Sequence, residues 1–83
     1  MTAPQLQALI EATKETQARQ QQIDENLATV KGIHDRVRSH RWRYFLNKRL
    51  LAESRRLLNA NQQMTAMNNL TIIRNAAYLA GRR

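Results

Sequence analysis

A run of cations and aromatic rings at residues 36–45, RVRSHRWRYF, holds the side chains of this sequence that are best suited to bind a ligand. Arginine pairs with phosphate through a planar fork of N–H donors, and flat aromatic rings stack on nucleobases. Arginine, tryptophan and tyrosine are also the usual anchors of protein–protein interfaces. The run therefore predicts binding to an anionic polymer or to a protein partner.

Further cations follow this run as far as residue 56. In a helix their charges wrap around most of the surface instead of forming one stripe, which suits surroundings with phosphates on several sides. The predicted phosphate-contact residues are Arg36, Arg38, Arg41, Arg43, Lys48, Arg49, Arg55 and Arg56. The alternative is a solvated basic helix whose arginine stems cover neighbouring apolar surface.

Three of the four aromatic residues of the chain lie in the same run. Trp42 and Tyr44 are the predicted anchors of a partner interface. Aromatic side chains at helical spacing more often pack in a core than stack on bases. For that reason Trp42 and Phe45, three residues apart, are also expected to be the largest apolar contribution to a small core.

The net charge of +8 is distributed unevenly along the chain. Residues 1–35 hold three basic and five acidic groups, a balance of −2, whereas residues 36–83 hold eleven basic groups and one acidic group, a balance of +10. This asymmetry predicts two surfaces with different partners, one of them anionic.

Residue patterns typical of catalysis or metal binding are missing from the sequence. Cysteine is absent, which excludes disulfides, thiolate metal sites and a thiol nucleophile. His34 and His40 are six residues apart and do not share a helical face, and no Gly-rich phosphate loop or paired-carboxylate motif accompanies them. We therefore expect no enzymatic activity, no cofactor, no metal and no small-molecule substrate.

Membrane and targeting signals are also weak. Residues 1–5 lack the basic and apolar regions of a secretory signal, and no run approaches the ~18 apolar residues that cross a bilayer. We expect a chain that is neither secreted by a signal peptide nor transmembrane, located in the cytoplasm or inside a large assembly. Residues 69–83 resemble a membrane-surface helix, but their small alanines favour helix–helix packing, so this is the least favoured alternative.

Long stretches without glycine or proline, rich in Ala, Leu, Gln, Glu and Arg, predict helix almost throughout. Thr2 is a predicted N-cap with Pro4 in the first helical turn, and Gly81 is predicted to close the last helix. Such a chain has a thin core, so packing against copies of itself or against a partner is expected to complete it.

Residues spaced three and four apart form a heptad seam in the first half. The seam comprises Leu6, Leu9, Thr13, Thr16, Gln20, Ile23, Leu27, Val30, His34 and Val37. Its apolar members Leu6, Leu9, Ile23, Leu27, Val30 and Val37 are predicted interface anchors. The seam predicts a coiled coil whose polar layers set the register, or alternatively one amphipathic helix with a weak central stripe.

Gly32 lies close to the change of charge sign, so a turn is predicted at residues ~32–35, with Asp35 capping the next helix. The predicted single domain, residues 1–83, then has helices at ~4–31 and ~36–58. A third helix is possible at ~62–80, after the weakly helical Asn59-Ala60-Asn61. Because one internal glycine costs only ~1 kcal/mol and the seam runs through it, a continuous rod is the alternative.

These patterns together predict an all-α protein, a long helical hairpin or small bundle with coiled-coil-like packing. Its expected function is that of a small basic structural or assembly subunit of a larger complex, such as a virion or ribonucleoprotein component. Residues 36–56 would bind nucleic acid or another polyanion. The rival hypothesis is a protein–protein scaffold or adaptor that makes no contact with nucleic acid.

Overall fold

Two long helices form an antiparallel hairpin in the computed structural model, which describes residues 2–81. Helix α1 spans Ala3–Ser39 and helix α2 spans Tyr44–Ala80, each with 37 residues. The Cα atoms extend over 62 × 15 × 14 Å, so the hairpin is a rod with the turn at one end and both termini at the other. The predicted all-α hairpin is confirmed, whereas Arg82 and Arg83 lie outside the described residues.

Both outer ends of the helices begin and stop as the sequence predicts. The Gln5 N–H donates to Thr2 Oγ1 (3.4 Å) and the Thr2 N–H donates to Gln5 Oε1 (3.0 Å), which completes a capping box with Pro4 in the first turn. At the other terminus α2 ends before Gly81, whose N–H donates to Ala77 O (3.0 Å). The capping box therefore satisfies an unpaired N–H at the start of α1, and the Gly81 N–H satisfies an unpaired carbonyl oxygen at the end of α2.

The predicted turn at residues 32–35 is wrong, because α1 continues through Gly32 and Asp35 to Ser39. The missing side chain at residue 32 faces open space and leaves no gap in the packing. Ile33 is buried against α2 and Val37 is half-buried, so a break at Gly32 would remove both from the contact between the helices. Their burial outweighs the ~1 kcal/mol that glycine costs inside a helix.

The observed turn lies at residues 40–43 and contains neither glycine nor proline. Hydrogen bonds hold it instead: the His40 N–H donates to Arg36 O (3.0 Å), and the Arg43 N–H donates to His40 O (3.0 Å). The side chain of Asn47, on the first turn of α2, donates to the same His40 oxygen (2.9 Å). This bond ties the start of α2 to the end of α1.

The predicted third helix is also wrong, because α2 runs unbroken through Asn59-Ala60-Asn61. Asn61 is buried between the helices: its Oδ1 accepts from Asn26 Nδ2 (2.9 Å) and its Nδ2 donates to Ile23 O (3.3 Å). The amide that weakens local helix propensity therefore gains two partners on α1, and these partners favour the helical conformation.

Asn61 belongs to a row of buried polar residues, spaced seven apart, along the face of α2 that packs on α1. The row is Asn47, Ser54, Asn61 and Asn68. The Asn68 Nδ2 donates to Thr16 O (3.2 Å), and the Ser54 hydroxyl lies 3.0 Å from His34 Nε2. We call this row the amide row.

The seam on α1 differs from the predicted one by half of its positions. Five predicted members face α2 and are buried or half-buried: Leu9, Thr16, Ile23, Val30 and Val37. The other five, Leu6, Thr13, Gln20, Leu27 and His34, are largely exposed, and their places are taken by Ala12, Arg19, Asn26, Ile33 and His40. Asn26, which takes one of these places, pairs with Asn61 of the amide row, whereas Leu6 and Leu27 lie outside the seam.

We expect Gly32→Ala to raise the free energy of unfolding by about 0.5–1 kcal/mol, because alanine is favoured over glycine inside a helix by that amount. A Cβ at this position meets no atom within 4 Å, so no packing cost opposes the gain. Urea unfolding followed by circular dichroism measures the change. A destabilised variant would contradict a helix that is continuous through residue 32.

Removing one amide of the buried pair is expected to destabilise the hairpin. Asn61→Ala leaves Asn26 buried without its acceptor, which costs about 1–3 kcal/mol in unfolding free energy. Asn59→Ala, at an exposed amide of the same helix, is the matched control and is expected to change stability by less than about 0.5 kcal/mol. Equal effects of the two substitutions would show that the buried amide pair has no special role.

Candidate polyanion-binding site at the turn

All eight predicted phosphate-contact residues are exposed and lie on the half of the rod nearest the turn. Two are in the last turn of α1, two are in the connecting residues 40–43, and four follow in the first half of α2: Arg36, Arg38, Arg41, Arg43, Lys48, Arg49, Arg55 and Arg56. We call residues 36–56 the basic turn end. The hairpin brings together cations that a rod without a turn would spread along its length.

Charge is strongly polarised along the rod. The basic turn end holds eight cations and one carboxylate, Glu53, which gives +7. The rest of the described chain, residues 2–35 and 57–81, holds four cations and five carboxylates, which gives −1. The Debye length at physiological ionic strength is only ~8 Å, so a ligand at the turn experiences mainly the positive end.

One ion pair involves the basic turn end. Arg56 Nη2 and Glu53 Oε1 are hydrogen-bonded three residues apart on α2, and this bond, reinforced by the carboxylate charge, raises the pKa of Arg56. Arginine is already positive at neutral pH, so this rise leaves its charge unchanged. Within residues 2–81 the other seven cations of the basic turn end have no carboxylate within ion-pair distance.

The three aromatic side chains at the turn point into solvent. Trp42, Tyr44 and Phe45 are 74%, 69% and 82% exposed. The expectation that Trp42 and Phe45 form the largest part of the core is therefore wrong. The turn lies at residues 40–43 and not at 32–35, so these rings sit at the end of the seam, where no residue of the other helix covers them.

These rings are arranged in two pairs, and one pair lies beside a guanidinium group. His40 and Trp42 pack edge to face with centroids 6.2 Å apart, and Tyr44 and Phe45 do so at 5.6 Å. The Arg43 guanidinium carbon lies 4.8 Å from the centre of the Trp42 ring, which is cation–π geometry. Exposed ring faces next to unpaired cations are suited to hold an anionic ligand that also has flat apolar groups.

The C-terminus of α1 and the N-terminus of α2 both lie at the turn, and each carries a partial charge from its backbone. Arg36 and Arg38 occupy the last turn of α1, where the helix dipole favours positive charge. Helix α2 starts at Tyr44, and no side chain caps its N-terminus. Its first N–H groups therefore carry partial positive charge, which lies beside the partial negative charge of the last α1 carbonyl groups and is largely offset by it.

The predicted interface anchors separate into two groups. Leu9, Ile23, Val30 and Val37 lie in the seam and stabilise the hairpin itself. Leu6 and Leu27 are exposed on one flank, and Leu51 and Leu58 of α2, which the sequence reasoning left out of the site, are exposed as well. One sequence signal identifies the buried face of α2 and so shows which leucines lie outside it. It is the row of polar residues spaced seven apart: Asn47, Ser54, Asn61, Asn68 and Asn75.

We call the end of the rod that holds both termini the open end. A shallow groove there is lined by Ala8, Leu9, Ala12, Asn75 and Tyr78 among others.

In residues 2–81 no three His, Asp or Glu side chains are grouped as a metal site requires. No helix in that range combines the length and apolar character needed to cross a bilayer. Comparisons of the chain with protein-family models, with curated proteins and with solved structures gave no match.

Proposed function

We propose that this chain is a small helical structural subunit that binds nucleic acid through the basic turn end. The observation that carries the proposal is the concentration of a +7 charge and three exposed aromatic rings at one end of a rod only about 15 Å wide. Phosphates supply the opposite charge, and bases supply flat apolar groups for the rings. The rest of the hairpin holds this end in position.

The type of side chain favours nucleic acid over an acidic protein surface. Seven of the eight cations in residues 36–56 are free of ion pairs, and all but Lys48 of the eight are arginines, whose planar fork binds phosphate in a bidentate way. The exposed rings of Trp42 and Phe45 offer stacking surfaces that carboxylate side chains do not require. A protein scaffold without nucleic-acid contact is the rival, and it predicts no binding to an oligonucleotide at low salt.

The predicted contact is with phosphates and unpaired bases. Asn47 is the only Asn or Gln within residues 36–56, and its amide is buried and bonded to His40 O, so no amide there is free to pair with adenine. Rings stack most readily on bases that are not paired in a duplex. Single-stranded DNA or RNA of mixed sequence is therefore the probe to use.

Binding of a mixed-sequence single-stranded oligonucleotide is expected to weaken steeply with salt. Each neutralised phosphate contributes a slope of about −0.7 in log K against log salt, so about four to seven contacts give a slope of roughly −3 to −5. Fluorescence anisotropy between low and physiological salt measures this slope.

The double substitution Arg38→Gln, Arg41→Gln should reduce the magnitude of the slope by about 1.4, whereas Arg74→Gln at the open end should leave it unchanged. No binding at low salt, or a flat slope, would favour the protein-scaffold alternative.

Trp42→Ala is expected to lower the affinity for the same oligonucleotide by about 5- to 150-fold, which corresponds to the loss of ~1–3 kcal/mol of base stacking. Because the ring is 74% exposed, thermal unfolding should be nearly unchanged. Tyr78→Ala is the control, since this aromatic residue lies at the open end of the rod. A loss of affinity no greater for Trp42→Ala than for Tyr78→Ala would exclude stacking by Trp42.

A further inference from the structure

One flank of the hairpin exposes two parallel lines of residues, each at seven-residue spacing and each next to the seam. On α1 the line is Leu6, Thr13, Gln20, Leu27 and His34. On α2 it is Leu51, Leu58, Thr65, Ile72 and Leu79. Leu27 and Leu58 line one shallow groove between the helices, and His34 and Leu51 line another closer to the turn, so the two lines share one side of the rod. We call them the leucine flank.

This flank exposes more large apolar side chains than the hairpin fully buries, although others such as Leu9 and Val37 are half-buried in the seam. The buried apolar residues of the described chain are Ile23, Val30 and Ile33, whereas six leucines and isoleucines of the flank are exposed. Two neighbouring helices cover only two positions of each heptad, and a third apolar position at the same spacing is typical of helices that pack in a larger bundle. The apolar residues of the leucine flank are therefore those expected if another pair of helices packs on this side of the hairpin.

We infer that the leucine flank binds a second copy of this chain, with the two rods antiparallel, to form a four-helix bundle. Charge selects this orientation. Parallel rods would place two basic turn ends of +7 side by side. Antiparallel rods place each of them along the terminal half of its partner, residues 2–20 and 65–81, where three cations and two carboxylates give only +1, so the repulsion is smaller. Arg38 and Arg41 border the groove at His34 and Leu51, so they would meet their own copies in the parallel arrangement.

The residue pattern of the flank is complementary to itself in this orientation. Each layer of the flank consists of one α1 residue and the α2 residue beside it, and successive layers are seven residues apart. Gln20 and Thr65 form the middle layer, and the layers on either side of it are more apolar. A two-fold axis through the middle puts Gln20 and Thr65 against their own copies, polar against polar. The layer of Leu27 and Leu58 then meets the layer of Thr13 and Ile72, so the two leucines of one copy pack against the isoleucine of the other.

The size of the flank is sufficient for a stable dimer. One long face of a rod with Cα extents of 62 × 15 × 14 Å presents on the order of 900 Å², close to the ~800 Å² per partner of a standard interface. The dimer would carry one basic turn end at each end of a 62 Å rod. This last consequence, two separated nucleic-acid sites, rests on the proposed function, but dimerisation itself does not.

Sedimentation equilibrium of the full chain, free of nucleic acid, tests the dimer. We expect a dimer at roughly 100 µM, above the micromolar range expected for such an interface. Leu27→Glu and Leu58→Glu should each raise the dissociation constant by at least about 100-fold with helicity retained, because each buries an unpaired carboxylate in the interface. Met67→Glu is the matched control: Met67 and Leu27 are both 48% exposed, but Met67 lies off the flank, seven residues before Arg74. A monomeric wild-type chain, or equal disruption by Met67→Glu, would overturn the inference.

Single cysteines test the orientation without disturbing the fold, because the chain has no cysteine of its own. Antiparallel rods place Leu6 near Leu51 of the second copy, so a mixture of Leu6→Cys and Leu51→Cys chains should form a mixed disulfide on oxidation. Gln20→Cys should crosslink to itself. Leu6→Cys alone should not, and efficient crosslinking of Leu6→Cys to its own copy would show parallel rods.

Discussion

Hydrogen bonds from the amide row of α2 to the backbone and side chains of α1 decide how the two helices align. Asn61 donates to Ile23 O and Asn68 donates to Thr16 O, so a step of seven residues forward on one helix matches seven backward on the other. A carbonyl oxygen has two lone pairs, and each of these oxygens accepts the amide without losing its helical partner. A slip along the seam would leave several buried amides unpaired, each at a cost of about 1–3 kcal/mol. The row thus stabilises the observed register against slips of fewer than seven residues.

Some buried polar atoms in the seam that sets this register have no hydrogen-bond partner. Within the described residues Arg19 Nη1, Asn47 Oδ1 and Asn68 Oδ1 are buried and have no hydrogen-bond partner. Seven-residue steps from the Asn26–Asn61 pair place Arg19 in the same layer as Asn68. Buried polar layers commonly favour a unique arrangement at the expense of stability. Six leucines and isoleucines lie outside this seam, on the flank.

Several parts of the fold follow directly from sequence patterns, because local chemistry determines them. Thr2, Pro4 and Gly81 mark helix ends through capping, and Leu9, Ile23 and Val30 lie in the seam as their spacing predicts. Gly32 and Asn59-Ala60-Asn61 led to wrong helix ends because low helix propensity describes only the local preference of the backbone. Burial of Ile33 and hydrogen bonding of Asn61 are tertiary terms that outweigh it. The candidate site shows the same division: the cations were identified by composition, but their gathering around one turn depends on where the chain reverses.

The amide row also determines the order in which the hairpin closes. The bond between Asn47 and His40 spans seven residues, whereas the bond between Asn68 and Thr16 spans 52. Loop-closure entropy rises by about 0.6 kcal/mol for each doubling of loop length, so the first contact near the turn is favoured over the distant one by ~1.8 kcal/mol. Folding would then zip from residues 40–47 toward the termini, and the open end would fray first. On this argument the basic turn end would be the part of the rod that forms first and opens last.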